Sequence, residues 1–235
     1  MVPMGTRSLK KEITGLLTGP NLDRILSALR QYPAKSVVNV LFSSICRSDE
    51  PIRWHAISAM GVTVARLADQ DMEEARIIMR RLLWSLNDES GGIGWGAPES
   101  MAEIMHCHEG LAREYVHMLV SYIRPDGPEL EQDGNFLEHE GLQRGVLWGL
   151  ERLCDRRIAL LQEKGVADDL FPYLASGDHV VRGLALKICV RIGVYLPRET
   201  LLGLSTDSSS FSWYHEGNFR EIRIDRLAAG ALEKK

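Results

Sequence analysis

Apolar residues recur at intervals of three and four along several stretches of the chain, which is the spacing that places side chains on one face of an α-helix. Three stretches follow this spacing: Ile52, Ala56, Met60, Val64 and Leu67; Val146, Leu147, Leu150, Leu153 and Cys154; and Val181, Ala185, Ile188 and Ile192. Each begins just after a polar, turn-like segment, and strand signals are scarce. The pattern predicts an all-α protein built from amphipathic helices.

The starts of these helices share a second pattern, an acid followed four residues later by an arginine. The pairs are Asp49 with Arg53, Glu140 with Arg144, Asp178 with Arg182, and Glu216 with Arg220. The last three pairs start 38 residues apart, and Asp88 lies 39 residues after Asp49 but has Gly92 in place of the arginine. A fixed period of this length indicates repeated helix pairs.

The repeats also predict how the chain is organised. The interval between Asp88 and Glu140 is longer than one repeat, and a Pro-, Gly- and acid-rich loop insert at 124–135 accounts for the excess. We expect a single domain over 1–235, with an N-terminal helical cap at 1–33 and repeats over 34–232. The first helix of each pair is predicted near Ala34–Cys46, Met72–Leu86, Leu111–Ile123, Val166–Tyr173 and Arg198–Leu204.

Three of these segments, DEPIRWHAISAMG, DHVVRGLALKICVRIG and EGLQRGVLWGLERL, resemble the HEAT-like repeat family, including the short bacterial repeats of phycobilisome lyases. The resemblance implies a right-handed α-solenoid, an α-α superhelix of about five helix pairs. In that family the acid-to-arginine motif ties consecutive second helices into a ladder, which here would use Asp49, Arg53, Asp178 and Arg182. A short acid also suits the positive end of a helix dipole.

Second helices line the inner face of such an array, so residues off their apolar stripes are candidate contacts for a partner. Trp54 lies away from the stripe of its helix, and Trp148 shares a polar face with Arg144, Glu151 and Arg152. An exposed tryptophan beside charges is a candidate binding platform. The alternative is that each tryptophan packs in the groove between repeats.

The segment Ser90–Ser100, SGGIGWGAPES, is the most unusual in the chain because four glycines surround Trp95 and Pro98 can begin a helix. Glu99 would lie near the positive end of that helix, on a face with Glu103 and His106. A contact with a ligand or partner competes here with a wide turn that compensates for the missing arginine. No nucleotide-binding glycine motif is present in the sequence.

Histidines lie at or near several second-helix starts, among them His55 and His139. Stacked repeats would hold neighbouring ones about 10 Å apart, too far for one metal ion, so we expect no metal site and no cofactor. Acid/base catalysis by Glu99 with His55 or His139 would require these groups to converge across repeats.

Charge and cysteines limit the partners. The formal net charge of -4 does not favour a general nucleic-acid surface. The four cysteines lie far apart, no long apolar stretch predicts a membrane span, and we expect a cytoplasmic protein with reduced thiols. The oligomeric state stays open.

Together these features favour a non-catalytic scaffold that grips a protein or peptide on its inner face, with Trp54, His55, Trp95, Glu99, His139, Arg144 and Trp148 as candidate contacts. The alternative is an enzyme on the same scaffold, a lyase or an alkyl-base DNA glycosylase, which rests on analogy of fold alone.

Overall fold

The computed structural model describes residues 6–86, 94–127 and 135–233. The position of the missing arginine at Gly92, the start of the glycine-rich segment and most of the insert at 124–135 lie outside the described residues. The described residues divide between two compact units, Met1–Leu111 and Ala112–Lys235, and each unit is considered by itself. The single domain expected over 1–235 therefore stays a prediction.

The described residues are mainly helical. The helices are α1 (Thr6–Leu17), α2 (Leu22–Leu29), α3 (Ala34–Phe42), α4 (Glu50–Gln70), α5 (Met72–Leu86), α6 (Ala97–Cys107), α7 (Glu109–Ser121), α8 (Glu140–Leu153), α9 (Ile158–Glu163), α10 (Val166–Asp169), α11 (His179–Ile192), α12 (Arg198–Leu204) and α13 (Ile224–Leu232), with a 3-10 helix at Pro172–Ala175. Met72–Leu86 and Arg198–Leu204 have the predicted bounds. No helix in these ranges is long and apolar enough to span a membrane.

In the first unit, α4 is the central helix and packs against α1, α2, α3, α5 and α6. It begins where the sequence predicts, because the Asp49 side chain accepts a hydrogen bond from the Ile52 backbone N–H at 3.0 Å and Pro51 occupies the first turn. Neighbours on several sides bury residues well beyond the apolar stripe, including Trp54, His55 and Ser58. The helix is therefore a core element and not a surface helix with one wet face.

The closest approach between α4 and α6 occurs at a glycine. A Cβ atom added to Gly61 would lie 2.8 Å from the backbone oxygen of Glu103, closer than a side chain tolerates. Almost every residue of α6 is buried, including Glu99, Ser100 and Glu103. Gly61 thus sets how tightly the polar residues of α6 are pressed against α4.

In the second unit, α11 packs against α8, the 3-10 helix and α13. Asp178 caps α11 by accepting hydrogen bonds from the backbone N–H groups of Val180 and Val181, at 2.9 and 3.0 Å. The same carboxylate accepts from Nε of Arg144 at 3.0 Å and from its Nη2. Arg144 on α8 is thereby joined to the start of α11, one repeat later along the chain.

The next arginine, Arg182, binds Asp207 through Nε at 3.1 Å and Nη2 at 2.7 Å. Asp207 lies before a strand and not at the start of a helix. The acid that Arg182 binds is therefore Asp207 and not Glu216, the acid of the next predicted pair. In the first unit, Arg53 lies 3.3 Å from Glu50 of its own helix. The arginines of the motif therefore bind in two ways, to the next repeat or within one helix turn.

The helix predicted to start with Glu216 and Arg220 was wrong, because this segment forms a β-hairpin. Strands β1 (Ser210–His215) and β2 (Asn218–Arg223) pair antiparallel, with His215 opposite Asn218. The two turn residues, Glu216 and Gly217, have φ values of 47° and 83°, as the tight turn of a two-residue hairpin requires. The acid-to-arginine spacing in this segment arises by coincidence from one turn residue and one strand residue.

The hairpin packs on α11 through another glycine. A Cβ atom at Gly183 would lie 2.3 Å from Cε1 of the Phe211 ring, so the ring occupies the space that a side chain would need. Phe211, Trp213 and Tyr214 of β1 are buried, while the residues of β2 are mostly exposed. The hairpin thus uses one strand to cover the second unit.

Replacing Gly61 by alanine tests the contact between α4 and α6. We expect Gly61→Ala to lower the free energy of unfolding by about 2 kcal/mol, because the added methyl group meets the backbone of Glu103. Urea unfolding followed by circular dichroism measures this change. Gly15→Ala is the matched control: nothing lies within 4 Å of its added Cβ, so helix propensity should make it neutral or slightly stabilising. Equal stability of both variants would contradict the contact.

The Arg182–Asp207 pair predicts a specific dependence on pH. Burial would raise the pKa of Asp207, but hydrogen bonds from Ser209 and Arg182 outweigh it and lower the pKa to about 2. The stabilisation is therefore present above the usual value of about 4 and is lost as the pH falls towards 2. We expect Asp207→Asn to be less stable by about 1–2 kcal/mol at neutral pH.

That difference should shrink below about pH 4, in urea titrations of both proteins at several pH values. Asp168→Asn, which changes an exposed carboxylate of the same unit, is the control and should match the parent at neutral pH. A stability difference for Asp207→Asn that does not change with pH would contradict the ion pair.

Candidate functional site

Trp95 lies two residues before the start of α6 and is 36% exposed. The next residue, Gly96, caps the helix with a positive φ of 78°, and a Cβ atom there would lie 2.5 Å from the backbone oxygen of Ile45. The thiol of Cys46 donates a hydrogen bond to the Trp95 carbonyl at 3.5 Å. Gly96 is therefore required for two reasons: its φ is positive, and there is no room for a side chain beside Ile45. It fixes the backbone next to the accessible Trp95.

Glu99, in the first turn of α6, is only 8% exposed. Burial raises the pKa of its carboxyl group, against the opposing effects of a hydrogen bond from its own backbone N–H and the charge of Arg53. Its Oε2 atom is buried and has no hydrogen-bond partner among residues 6–86, 94–127 and 135–233. A carboxyl group held in this way is costly, and such groups are concentrated at functional sites.

In the part of the chain that the structure describes, two further buried polar atoms near this helix start have no hydrogen-bond partner. They are Nε of Arg53 and Oγ of Ser100. Arg53 is close enough for its positive charge to oppose the rise in the pKa of Glu99. The pKa of Cys46 is raised, mainly by burial and to a smaller extent by the charge of Glu99. We call these residues the α6 cluster: Cys46, Arg53, Trp95, Glu99 and Ser100.

The interpretation of Trp54 as an exposed platform was wrong. Its side chain is buried, and the guanidinium of Arg53 lies 5.5 Å from the centre of its ring. His55 is also buried, with Nδ1 2.9 Å from the backbone oxygen of Leu17. Both residues lie under the other helices that surround α4, which the periodicity of α4 alone does not reveal.

In the second unit, Trp148 is likewise not an exposed platform. It is 4% exposed, and its Nε1 donates a hydrogen bond to the backbone oxygen of Tyr214 at 3.0 Å. The hairpin covers this residue, and the sequence predicts a helix in place of the hairpin. Arg144 binds Asp178, and His139 caps α8 by accepting the Gly141 N–H at 3.1 Å. Trp148, Arg144 and His139 thus have contacts that hold the fold together.

The sequence analysis missed a buried polar cluster of the second unit, which is centred on Glu151 of α8. Glu151 is 1% exposed and accepts hydrogen bonds from Lys187, from Arg191 at 2.9 Å and from Nε1 of Trp213 at 3.0 Å. The ammonium group of Lys187 also lies 3.8 Å from the centre of the Trp213 ring. Only the spacing of Trp148 and Glu151 on one helix face pointed towards this cluster.

Asp155 extends the network, since it binds Arg152 and Arg191, each at 2.7 Å. Burial opposes its ionisation, but these bonds outweigh burial and lower the pKa of Asp155. The ring of His215 stacks on Trp213 at 4.7 Å, and burial lowers the pKa of His215. The two carboxylates at the centre of this network are therefore occupied by cations of the same chain.

The candidate residues thus divide between the units. The first unit contains Trp54, His55, Trp95 and Glu99. Of these four, Trp95 is exposed and Glu99 has a buried oxygen without a hydrogen-bond partner among the described residues, whereas Trp54 and His55 are buried. His139, Arg144 and Trp148 lie in the second and have structural contacts. In the part of the chain that the structure describes, no three His, Cys, Asp or Glu residues are placed to hold a metal ion.

Comparison with known proteins establishes the fold class. The chain is similar to an engineered protein solved by the Northeast Structural Genomics Consortium, with a TM-score of 0.52, 14% identity and coverage of 98% of both chains. It is also similar to a computationally designed armadillo repeat protein, with a TM-score of 0.51, 16% identity and coverage of 97% of this chain and 91% of that chain. The predicted all-α solenoid fold is confirmed.

No protein-family model matches the sequence. No curated protein matches it either. These comparisons therefore establish the fold of the chain and not its family.

Removing the Glu151 carboxylate tests whether it holds the hairpin to the helices. We expect Glu151→Ala to lower the free energy of unfolding by about 3 kcal/mol, because the positive charges of Lys187 and Arg191 would lose the carboxylate that they both bind. Urea unfolding monitored by tryptophan fluorescence reports the loss. Glu163→Ala, with a 64% exposed side chain in the same unit, should change stability little. Similar effects of both substitutions would contradict the central position of Glu151.

Proposed function

We propose that this protein is a non-catalytic binding module of HEAT-like type, which grips a protein or peptide partner at the α6 cluster. The observation that carries the proposal is the combination of an exposed tryptophan, on a backbone fixed by Gly96, with a buried glutamate oxygen for which the described residues supply no hydrogen-bond partner. The partner would cover Trp95 and bring a polar group to Glu99.

The fixed backbone favours binding because a large aromatic residue that is already positioned loses little conformational entropy on contact. Gly96 packs against the backbone of Ile45, and the Cys46 thiol donates a hydrogen bond to the Trp95 carbonyl. Residues of this kind dominate the binding energy of many protein interfaces. Trp95 lies in a turn between helices and is accessible to a partner there, whereas the Glu99 oxygen is buried and becomes accessible only if neighbouring side chains move.

The unsatisfied atoms favour binding for a different reason. Most buried polar atoms in proteins have a hydrogen-bond partner, so Glu99 Oε2, Arg53 Nε and Ser100 Oγ near one helix start call for an explanation. A bound segment would supply the missing partners. In the Glu151 network both carboxylates are already bound by cations of the same chain, and the buried atom that lacks a hydrogen-bond partner is Nδ1 of His215.

The fold is compatible with this function. The designed armadillo protein among the structural neighbours was made for modular peptide recognition, which is a property of that protein. The link from Arg144 to Asp178 resembles the ladder of HEAT-like repeats, and this supports the finer family assignment. The cytoplasmic location remains part of the proposal.

Acid/base catalysis by Glu99 with His55 is less well supported. His55 is buried, and one of its ring nitrogens is already 2.9 Å from the Leu17 carbonyl oxygen. If Nδ1 donates to this carbonyl, Nε2 can still accept a proton, but a general base must also lie within reach of the proton that it removes, and His55 is buried. The binding hypothesis requires no such group.

A peptide-array screen with the whole chain, followed by fluorescence anisotropy on the hits, tests the proposal. We expect Trp95→Ala to weaken binding by about 30-fold, because an exposed aromatic residue at the centre of a contact contributes on the order of 2 kcal/mol. Circular dichroism should show unchanged helicity.

Trp84→Ala is the matched control, since Trp84 lies on α5 in the same unit and is 75% exposed. It should leave the affinity unchanged. Hits that depend on Trp84 and not on Trp95 would place the contact elsewhere, and an array without any hit would overturn the proposed function.

A further inference from the structure

We infer that the cavity between α1 and α2 binds a short alkyl carboxylate, with the alkyl chain on Leu16 and Ile25 and the carboxylate at Arg24. The cavity has a volume of about 260 Å³. It shares no residue with the α6 cluster, so the inference goes beyond the proposed function and is tested separately from it.

Most of the lining of this cavity is apolar. Leu16 near the end of α1, Ile25 in α2 and Pro20 from the turn between the two helices contribute to it. Ile25 is buried, whereas Leu16 is half-buried and Pro20 is exposed, so part of this apolar surface meets water. Methylene groups that cover such a surface are themselves removed from water, which is favourable. The lining therefore suits an alkyl chain.

Gly15 leaves the space that the chain would occupy. It lies inside α1 and lines the cavity, and a Cβ atom added to it would have no atom within 4 Å. A glycine inside a helix lowers stability relative to alanine. At this position no neighbouring group requires the glycine for close packing, and its lack of a side chain opens one wall of the cavity.

Local hydrogen bonds fix the turn that closes the cavity. The Gly19 N–H donates to the Leu16 carbonyl at 3.0 Å, and Oδ1 of Asn21 accepts the backbone N–H of Arg24 at 2.9 Å. A Cβ atom at Gly19 would lie 3.2 Å from the Leu16 backbone oxygen, so this side of the turn is tightly packed. A cavity formed by such contacts needs little ordering when a ligand binds.

The polar side chains at the cavity are hydrogen-bond donors. Arg24 is the one charged residue of the lining and is exposed, and the described residues place no carboxylate in an ion pair with its guanidinium. Asn21 uses its amide oxygen to cap α2, so its amide nitrogen is the group that remains for a ligand. Arginine donates to both oxygens of a carboxylate at once. A carboxylate therefore matches this rim, and an ammonium group does not.

Volume and polarity limit the ligand further. Pockets for drug-sized molecules begin at about 300 Å³, so this cavity suits a short chain and not a large ring system. A peptide would bring several backbone amide groups that need partners, whereas the two polar side chains of the lining serve one head group. A free alkyl carboxylate is therefore favoured over the end of a peptide chain.

The experiment is a titration of the whole chain followed by methyl NMR with three probes. Octanoate carries both the chain and the charge, octanol has the chain without the charge, and acetate has the charge without the chain. We expect octanoate to shift the methyl signals of Leu16 and Ile25. Octanol should bind about threefold more weakly, the effect of one exposed ion pair, and acetate should leave both signals unshifted.

Two variants test the contacts. Gly15→Leu should weaken octanoate binding at least about 10-fold, because the leucine side chain takes the place of buried methylene groups. Gly203→Leu is the matched control, at a glycine of α12 whose added Cβ also has no atom within 4 Å, and should leave binding unchanged. Arg24→Gln should remove the preference for octanoate over octanol, whereas Arg7→Gln, at an exposed position of α1, should keep it.

A folding defect would not explain loss of binding in Gly15→Leu, because leucine has the higher helix propensity, and circular dichroism checks this point. Octanoate binding that survives Gly15→Leu, or that shifts only other methyl signals, would overturn the inference. Equal affinities of octanoate and octanol for the parent would overturn it too, as would tighter binding of a tripeptide that ends in leucine. None of these results involves Trp95, so the proposed function depends on its own screen.

Discussion

A single buried carboxylate, that of Glu151, determines how the second unit is assembled. Removing a carboxylate from water costs several kcal/mol, and that cost is offset only if every oxygen is bound by a suitable donor. Lys187 and Arg191 on α11 and Trp213 on β1 meet at this one group on α8. Two helices and a hairpin that are distant in sequence therefore have one relative position in which the charge is satisfied. The burial of Trp148 beneath the hairpin follows from that position.

The first unit contains a carboxyl group in the opposite condition. Glu99 is also buried, yet the residues that the structure describes provide no donor for one of its oxygens. The two glutamates show that depth of burial does not distinguish a structural acid from a candidate contact. The distinction is whether the chain itself supplies the partners. For that reason Glu99 and not Glu151 is part of the basis of the proposed function.

Periodicity predicted the elements of this fold well, and it failed where tertiary contacts decide the outcome. Local features could be predicted from the sequence. They are the apolar spacing in α4, α8 and α11 and the capping acids Asp49 and Asp178. The pair Glu216 and Arg220 has the correct spacing for a helix start but belongs to a hairpin, because the Glu216–Gly217 turn and the aromatic residues of β1 prevail. Trp54 and Trp148 looked accessible because the elements that cover them are distant in sequence. The α6 cluster was predicted in part, since Trp95 and Glu99 share an unusual segment, whereas the contribution of Arg53 and Cys46 depends on the folded chain.

The Phe211 ring against Gly183 has a consequence for how such an array can grow. Helical repeats are lengthened by laying one more helix pair on the exposed side of the last one, which requires a free flank. On α11 that flank is occupied by the ring, by the rest of β1 and by α13. Arg182 correspondingly finds its acid in Asp207, on an extended segment and not at the start of a helix. At this point, repetition by helix-on-helix stacking gives way to a strand, so a further helix pair could not stack on this flank of α11.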